Sequence, residues 1–138
     1  MNTDYLDAHQ RHLSDANILF DISRLANADH LFGMAAECGL KRLMIAFGMQ
    51  TDYTGAPKDR KGDWIHAEKV WVRYETYRCG HIQGVQYGLP LSNPFDDWKV
   101  DQRYAQEHCF TQARVQSHRA AAHTVHGLVK KAKLDGLI

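Results

Sequence analysis

Residues 29–48 read DHLFGMAAECGLKRLMIAFG, and the fold follows from how this stretch is read. Leu31, Phe32, Met34, Ala35, Ala36, Cys38, Leu40, Leu43, Met44, Ile45 and Phe47 are apolar. No β-branched run interrupts them, and Ala, Leu and Met lose little rotamer freedom in a helix. Asp29 is placed to cap the N-terminus, and Gly48 to take the left-handed turn that ends the helix. The apolar positions cover most of the cylinder rather than one stripe, which predicts a central helix with neighbours on several sides. The polar exceptions are few. Glu37 and Lys41 are four apart, in the favourable order for an ion pair. They read either as a solvated pair or as a polar notch facing a site.

Working outward, Thr3 or Asp4 starts a first helix on which Tyr5, Leu6, Leu13, Ala16, Leu19, Phe20 and Ile22 recur at helical spacing. It fades near Leu25–Asn27, and a short link at Asn27–Ala28 makes the first two helices an antiparallel hairpin. His9 and His12 read as two exposed histidines. Residues 49–63, MQTDYTGAPKDRKGD, form a polar loop long enough to be functional or mobile. Its Lys58, Arg60 and Lys61 make a small basic cluster. Asp63 is placed to cap a third helix whose apolar side is Trp64, Ile65, Val70, Trp71, Tyr74 and Tyr77, running to about Cys79. Two prolines make residues 89–94 an extended connector. After a short helical turn capped by Asp96 or Asp97, a last helix runs from about Thr111 to Leu134, with Gly136 terminating it. The expected class is all-α: an up-and-down bundle of four to five helices, one domain over residues 1–138.

The formal charge of +1 gives no bulk reason for tight nucleic-acid binding, so any such contact needs a local basic patch. Cys38, Cys79 and Cys109 are odd in number, widely spaced and without a CxxC, which reads as reduced thiols. No secretory signal is visible, and Glu37, Lys41 and Arg42 break the longest apolar run, so no membrane span is expected; a cytoplasmic protein is the default. His123 and His126 are three apart on the last helix, but no acidic ligand joins them there and Arg119 opposes a cation. No metal site is expected. No Gly-rich phosphate loop or nucleophile elbow is present, and no cofactor is expected.

The AAECGLK segment at 35–41, the aromatic third helix and the DWKVDQRYA segment at 97–105 together resemble the HEPN family of small helical-bundle proteins, over most of the chain. The resemblance implies a homodimer. It also implies one of two activities: metal-independent RNA cleavage through an Arg-x(4–6)-His motif near a late helix start, or a non-catalytic role binding nucleotides or a protein partner, as in toxin–antitoxin pairs. Arg103 and His108 fit the motif. In one subgroup the motif continues as His-x-Tyr, but here the position holds Phe110, and Tyr104 follows the arginine where a polar residue is frequent. The chain has nine arginines and nine histidines, and three other pairs match the same spacing: Arg24–His30, Arg60–His66 and Arg119–His126. Only Arg103–His108 lies in the resembling segment.

RNA cleavage without metal needs a proton acceptor for the 2′-OH, a proton donor for the leaving oxygen and a cation for the phosphorane. Histidine titrates near neutrality, and arginine binds phosphate bidentately. Arg103 and His108 are therefore the expected catalytic pair. The alternative, a ligand-binding or interaction protein, uses the Glu37/Lys41 notch with Trp98, Arg103 and Tyr104. The connector is expected to cross the central helix, bringing Arg103 within hydrogen-bonding reach of Glu37.

Overall fold

The computed structural model describes all residues, Met1–Ile138. Four α-helices make the bundle: α1 (Tyr5–Asp21), α2 (Leu25–Ala46), α3 (Ala67–Cys79) and α4 (Gln112–Leu134). Three short 3₁₀ segments, Ile82–Tyr87, Val100–Tyr104 and Glu107–Cys109, lie between α3 and α4, and no strand is present. No helix is long and apolar enough to cross a membrane.

α2 packs against each of the other three helices, as its all-round apolar surface predicts. Phe32, Ala35, Ala36, Leu40, Leu43 and Met44 are buried on it, within one hydrophobic cluster that includes Leu13 and Phe20 of α1, Val70 and Tyr74 of α3, and Val125 and Val129 of α4. α1 begins where Asp4 accepts the Leu6 and Asp7 amides. α3 ends at Cys79, and α4 starts at the Thr111 cap, whose hydroxyl accepts the Arg114 amide. Gly48 and Gly136 both have positive φ, at 112° and 70°, and each follows a helix end that no β-carbon would tolerate cheaply.

Two expected caps have another task. α2 starts at Leu25, a turn before Asp29, and the link from α1 is Ile22–Arg24 with Ser23 in the left-handed region. Asp29 is fully buried inside α2 and anchors α4 and the connector. Asp63 is likewise buried and accepts from Arg73 Nε at 2.8 Å and Tyr77 Oη at 2.6 Å, so α3 starts later, after His66. Trp64 and Ile65 therefore precede α3 rather than belong to it.

The loop at 49–63 is closed by its own hydrogen bonds. The Asp52 carboxylate accepts from the Thr54 amide, the Thr54 hydroxyl and the Ala56 amide, at 2.8, 2.6 and 3.2 Å. The Thr3 amide donates to Thr54 O at 2.6 Å, which stitches the residues before α1 onto the loop. The loop is thus held as a wall beside α2.

Candidate functional site

The wall, α1 and α2 enclose a cleft of about 280 Å³ lined by Thr3, Tyr5, Glu37, Lys41, Pro57, Trp64, Ile65 and His66, among others. Its floor is the Glu37/Lys41 notch. Both side chains are buried, 6% and 5% exposed, so the pair is not a solvated one. Lys41 Nζ donates to Glu37 Oε1 at 2.8 Å and to Ile65 O at 2.8 Å, and lies over the Tyr5 ring at 5.7 Å. A buried ammonium is tolerable only with this degree of pairing.

The second carboxylate oxygen, Oε2, lies 3.2 Å from His66 Nδ1. A carboxylate can only accept, so Nδ1 carries the proton and Nε2 is the atom left to face a ligand. Nε2 has no protein partner. The hydrogen bond to Glu37 raises the pKa of His66 above its usual value, outweighing partial burial. Tyr5 is pushed up to about 12, chiefly by burial and then by the neighbouring Cys38 and Glu37, so its hydroxyl stays a neutral donor at any physiological pH. At the rim Trp64 is half exposed; its indole N–H donates to Pro57 O at 2.9 Å, and the Arg60 guanidinium sits 4.6 Å from its ring centroid.

The expected contact between Arg103 and Glu37 is absent. Glu37 is occupied by Lys41 and His66, and Arg103 is exposed, its guanidinium 4.8 Å from the ring centroid of exposed Tyr104. His108 is also exposed, in the 3₁₀ turn before α4 rather than at the start of that helix. Neither Arg103 nor His108 lines the cleft. Trp98, expected to contact a ligand, is instead completely buried core. Its indole N–H donates to Asp29 O at 3.1 Å, and its ring closes over Gly33, where a β-carbon would overlap it.

What brings the connector to α2 is a clasp around Asp29. His118 Nδ1 lies 2.6 Å from Asp29 Oδ1 and its Nε2 3.0 Å from Asp97 Oδ1. Gln102 Nε2 donates to Asp29 Oδ2 at 2.7 Å, and Arg114 bonds the Asp97 carboxylate and, at 3.3 Å, Gln102. Two carboxylate acceptors call for two N–H donors, so His118 is an imidazolium. Burial lowers its pKa, but Asp29 and Asp97 together carry it above the usual value.

His9, expected at the surface, is fully buried. Its Nδ1–H donates to Ala35 O at 2.7 Å, and its Nε2 accepts from His126 Nδ1 at 3.0 Å. Burial lowers the pKa of both rings, which stay neutral. His123 bonds Asn17 instead, so His123 and His126 serve different partners on α1. Comparison with protein-family models, curated proteins and solved structures returns no match.

Proposed function

We propose that this chain is a binding protein for a small nucleotide-class ligand, held in the Glu37–Lys41–His66 cleft. The observation that carries the reading is the buried carboxylate shared between an ammonium on the floor and an imidazole at the mouth. A site that buries charge at this cost, in a concave and partly aromatic setting, is the default place to seek a ligand. Tyr5 and Trp64 offer ring faces to a base. His66 Nε2 and the Tyr5 hydroxyl offer hydrogen bonds, and Arg60 adds positive charge at the rim. Glu37 fixes the His66 tautomer, so Nε2 accepts a proton from the ligand when neutral and donates one when protonated.

The test is calorimetric titration with nucleoside monophosphates, combined with NMR observation of the histidine rings. The expected result is saturable binding that moves the His66 signals, weakened roughly tenfold by Glu37→Gln because Nε2 loses its orienting partner. Binding that leaves His66 unmoved, or no binding by any nucleotide, overturns the reading.

The HEPN resemblance supports a second reading, RNA cleavage by Arg103 and His108 across a homodimer, and the exposure of both side chains favours it. Single-turnover cleavage of mixed single-stranded RNA tests it. His108→Ala should lower the rate by about 10²–10⁴-fold with the melting curve unchanged. Equal cleavage by the variant assigns the activity elsewhere.

A further inference from the structure

α4 carries Arg114, Arg119, Lys130, Lys131 and Lys133, four histidine or alanine turns between them, and no acidic residue. Two of these cations are tied down within the chain. Arg114 bonds the Asp97 carboxylate, and Lys131 Nζ lies 2.6 Å from Asp135 Oδ2. The others stand on one stripe with two histidines. Arg119, His123, His126, Lys130 and Lys133 are four and three residues apart in turn, so they stay on one face of α4 over about 21 Å. His123, Lys130 and Lys133 are exposed, and Arg119 and His126 are half-buried. Lys130 and Lys133 make no hydrogen bond or ion pair, whereas Lys131 between them does. The helix dipole suffices for lysines in the last turns, but not for Arg119 and the histidines further back.

α1 borders the stripe, and its contacts mark out the line. The Arg119 guanidinium sits 4.6 Å from the Phe20 ring centroid, His123 Nε2 donates to Asn17 Oδ1 at 3.0 Å, and His126 Nδ1 lies 3.0 Å from His9 Nε2. The carboxylates of this edge are accounted for. Asp4 caps α1, Asp7 faces Arg11 at 3.7 Å, and Asp15 lines a groove with Ile18 and Leu31. Asp21 alone reaches the stripe, at its Arg119 end, in a loose 3.9 Å contact open to solvent. His12 and Lys133 also act on His9, and neither brings negative charge. On α2 the side that faces the pair is Ala35 and Gly39, which carry none.

The hydrogen bonds fix what the two histidines can offer. Ala35 O only accepts, so His9 Nδ1 carries its proton, His9 Nε2 accepts, and His126 Nδ1 donates. His126 Nε2 is left with a lone pair, and His123 spends its one N–H on Asn17. Neither neutral ring has a donor for a ligand. Burial and then Lys130, His123 and Lys133 lower the pKa of His126; burial and then Arg119 lower that of His123. An anion laid along the stripe acts in the opposite sense, favouring a second proton on each ring.

We propose that this stripe of α4 docks the phosphate backbone of a nucleic-acid duplex, and that docking draws a proton onto His126. The stripe has no Phe, Tyr or Trp on which a base could stack, and the one large apolar side chain that α4 exposes is Leu134, at its end. Contact is therefore with charge alone. A duplex carries one charge per about 1.7 Å against about 3.4 Å for one strand, so it offers such a face the most. The stripe shares no side chain with the cleft or with Arg103 and His108, so its failure leaves both readings standing.

The test is fluorescence anisotropy of a short labelled DNA duplex of mixed sequence with the full chain, over a range of salt and pH. At alkaline pH log K should fall against log salt with a slope of about −2.7, or about 0.9 for each of Arg119, Lys130 and Lys133. The slope should steepen below about pH 6.5 as the histidines charge, and NMR should show the His126 pKa raised by the duplex. Lys130→Gln with Lys133→Gln should weaken binding at least tenfold, leave the melting curve in place and cut the slope to about −0.9. Lys131→Gln, on another face, should leave the slope unchanged, and Asp21→Asn should tighten binding. An equal loss in Lys131→Gln means diffuse charge rather than a stripe and overturns the proposal, as does no binding at low salt. The single strand or phosphatidylserine vesicles bound as tightly as the duplex would name a different occupant and overturn it too. An unmoved His126 overturns the proton link.

Discussion

Replacing Glu37 should be the most damaging single polar change in this protein. The carboxylate is buried and holds the Lys41 ammonium and the His66 ring. Glu37→Ala leaves the Lys41 ammonium, itself 5% exposed, with only Ile65 O as a partner. Leaving one charge of a buried pair uncompensated costs about 3–5 kcal/mol. In a chain of this length that lowers the melting temperature by about 12–20 °C, at roughly 4 °C per kcal/mol. Glu37→Gln keeps the volume and one acceptor, so its loss reports the charge rather than the cavity. The double variant Glu37→Leu/Lys41→Met removes both charges while keeping the space filled, and should return to within about 1 kcal/mol of the parent. The assay is urea unfolding of the parent, Glu37→Ala, Glu37→Gln, and the cycle of Glu37→Leu, Lys41→Met and their double variant, with a coupling energy of at least about 2 kcal/mol expected from the cycle. A cost below about 1 kcal/mol for Glu37→Ala would mean that the pair behaves as a solvated one, and the enclosed notch would be refuted.

Stability should fall on both sides of neutrality, for opposite reasons. The folded pKa of His118 is raised, so its contribution is complete below about pH 6.5 and is lost as pH rises through the folded value; the folded pKa values of His9 and His126 are lowered, so theirs is present above about pH 6.5 and is lost as pH falls. Urea unfolding against pH checks this, and His118→Gln should flatten the alkaline limb alone; an unchanged limb would show the clasp to be inert. Gly33→Ala should cost about 1–3 kcal/mol, because a β-carbon meets the ring of buried Trp98 rather than a flexible chain end, and a melting temperature equal to the parent's would contradict that packing. If two copies associate, a two-fold contact should bury about 1,000 Å² or more, and sedimentation should show a mass that rises with concentration; a constant monomer mass rules it out.

The helices were readable where a single physical cause acts. Ala, Leu and Met on every side of 29–48 require a helix with several neighbours, and α2 has them. Thr111 and Gly136 bound the last helix because a side-chain acceptor and a left-handed turn are needed there and nothing competes for them. Asp29 and Asp63 misled for the opposite reason. A carboxylate that caps a helix and one that anchors a buried network have the same identity, and only the distant partners His118, Gln102, Arg73 and Tyr77 decide between them. His9 belongs with these: a histidine on an amphipathic helix gives no local sign that Ala35 and His126 will enclose it.

The candidate site was half legible, and the division has a cause. Glu37 and Lys41 stood out because two charges are costly on an otherwise apolar helix. Their third partner, His66, lies 29 residues along the chain, beyond a loop whose course is set by Asp52 and by the Thr3 amide. One local trace of the site did exist, the Arg60–His66 spacing, but three other pairs share it and spacing alone could not rank them. A better signal lay on α2 itself. Asn27, His30, Met34, Glu37 and Lys41 are separated by three or four residues, so they form one stripe along an apolar cylinder. This is the helix that packs against all three others. Setting ionisable groups on its one polar stripe fixes their positions more closely than any loop would, at the cost of the pairing each buried charge then requires. At the Lys41 end the pairing is complete within the chain. At the His30 end Nδ1 is enclosed without a hydrogen-bond partner, and the ring is held by stacking on Trp98 instead.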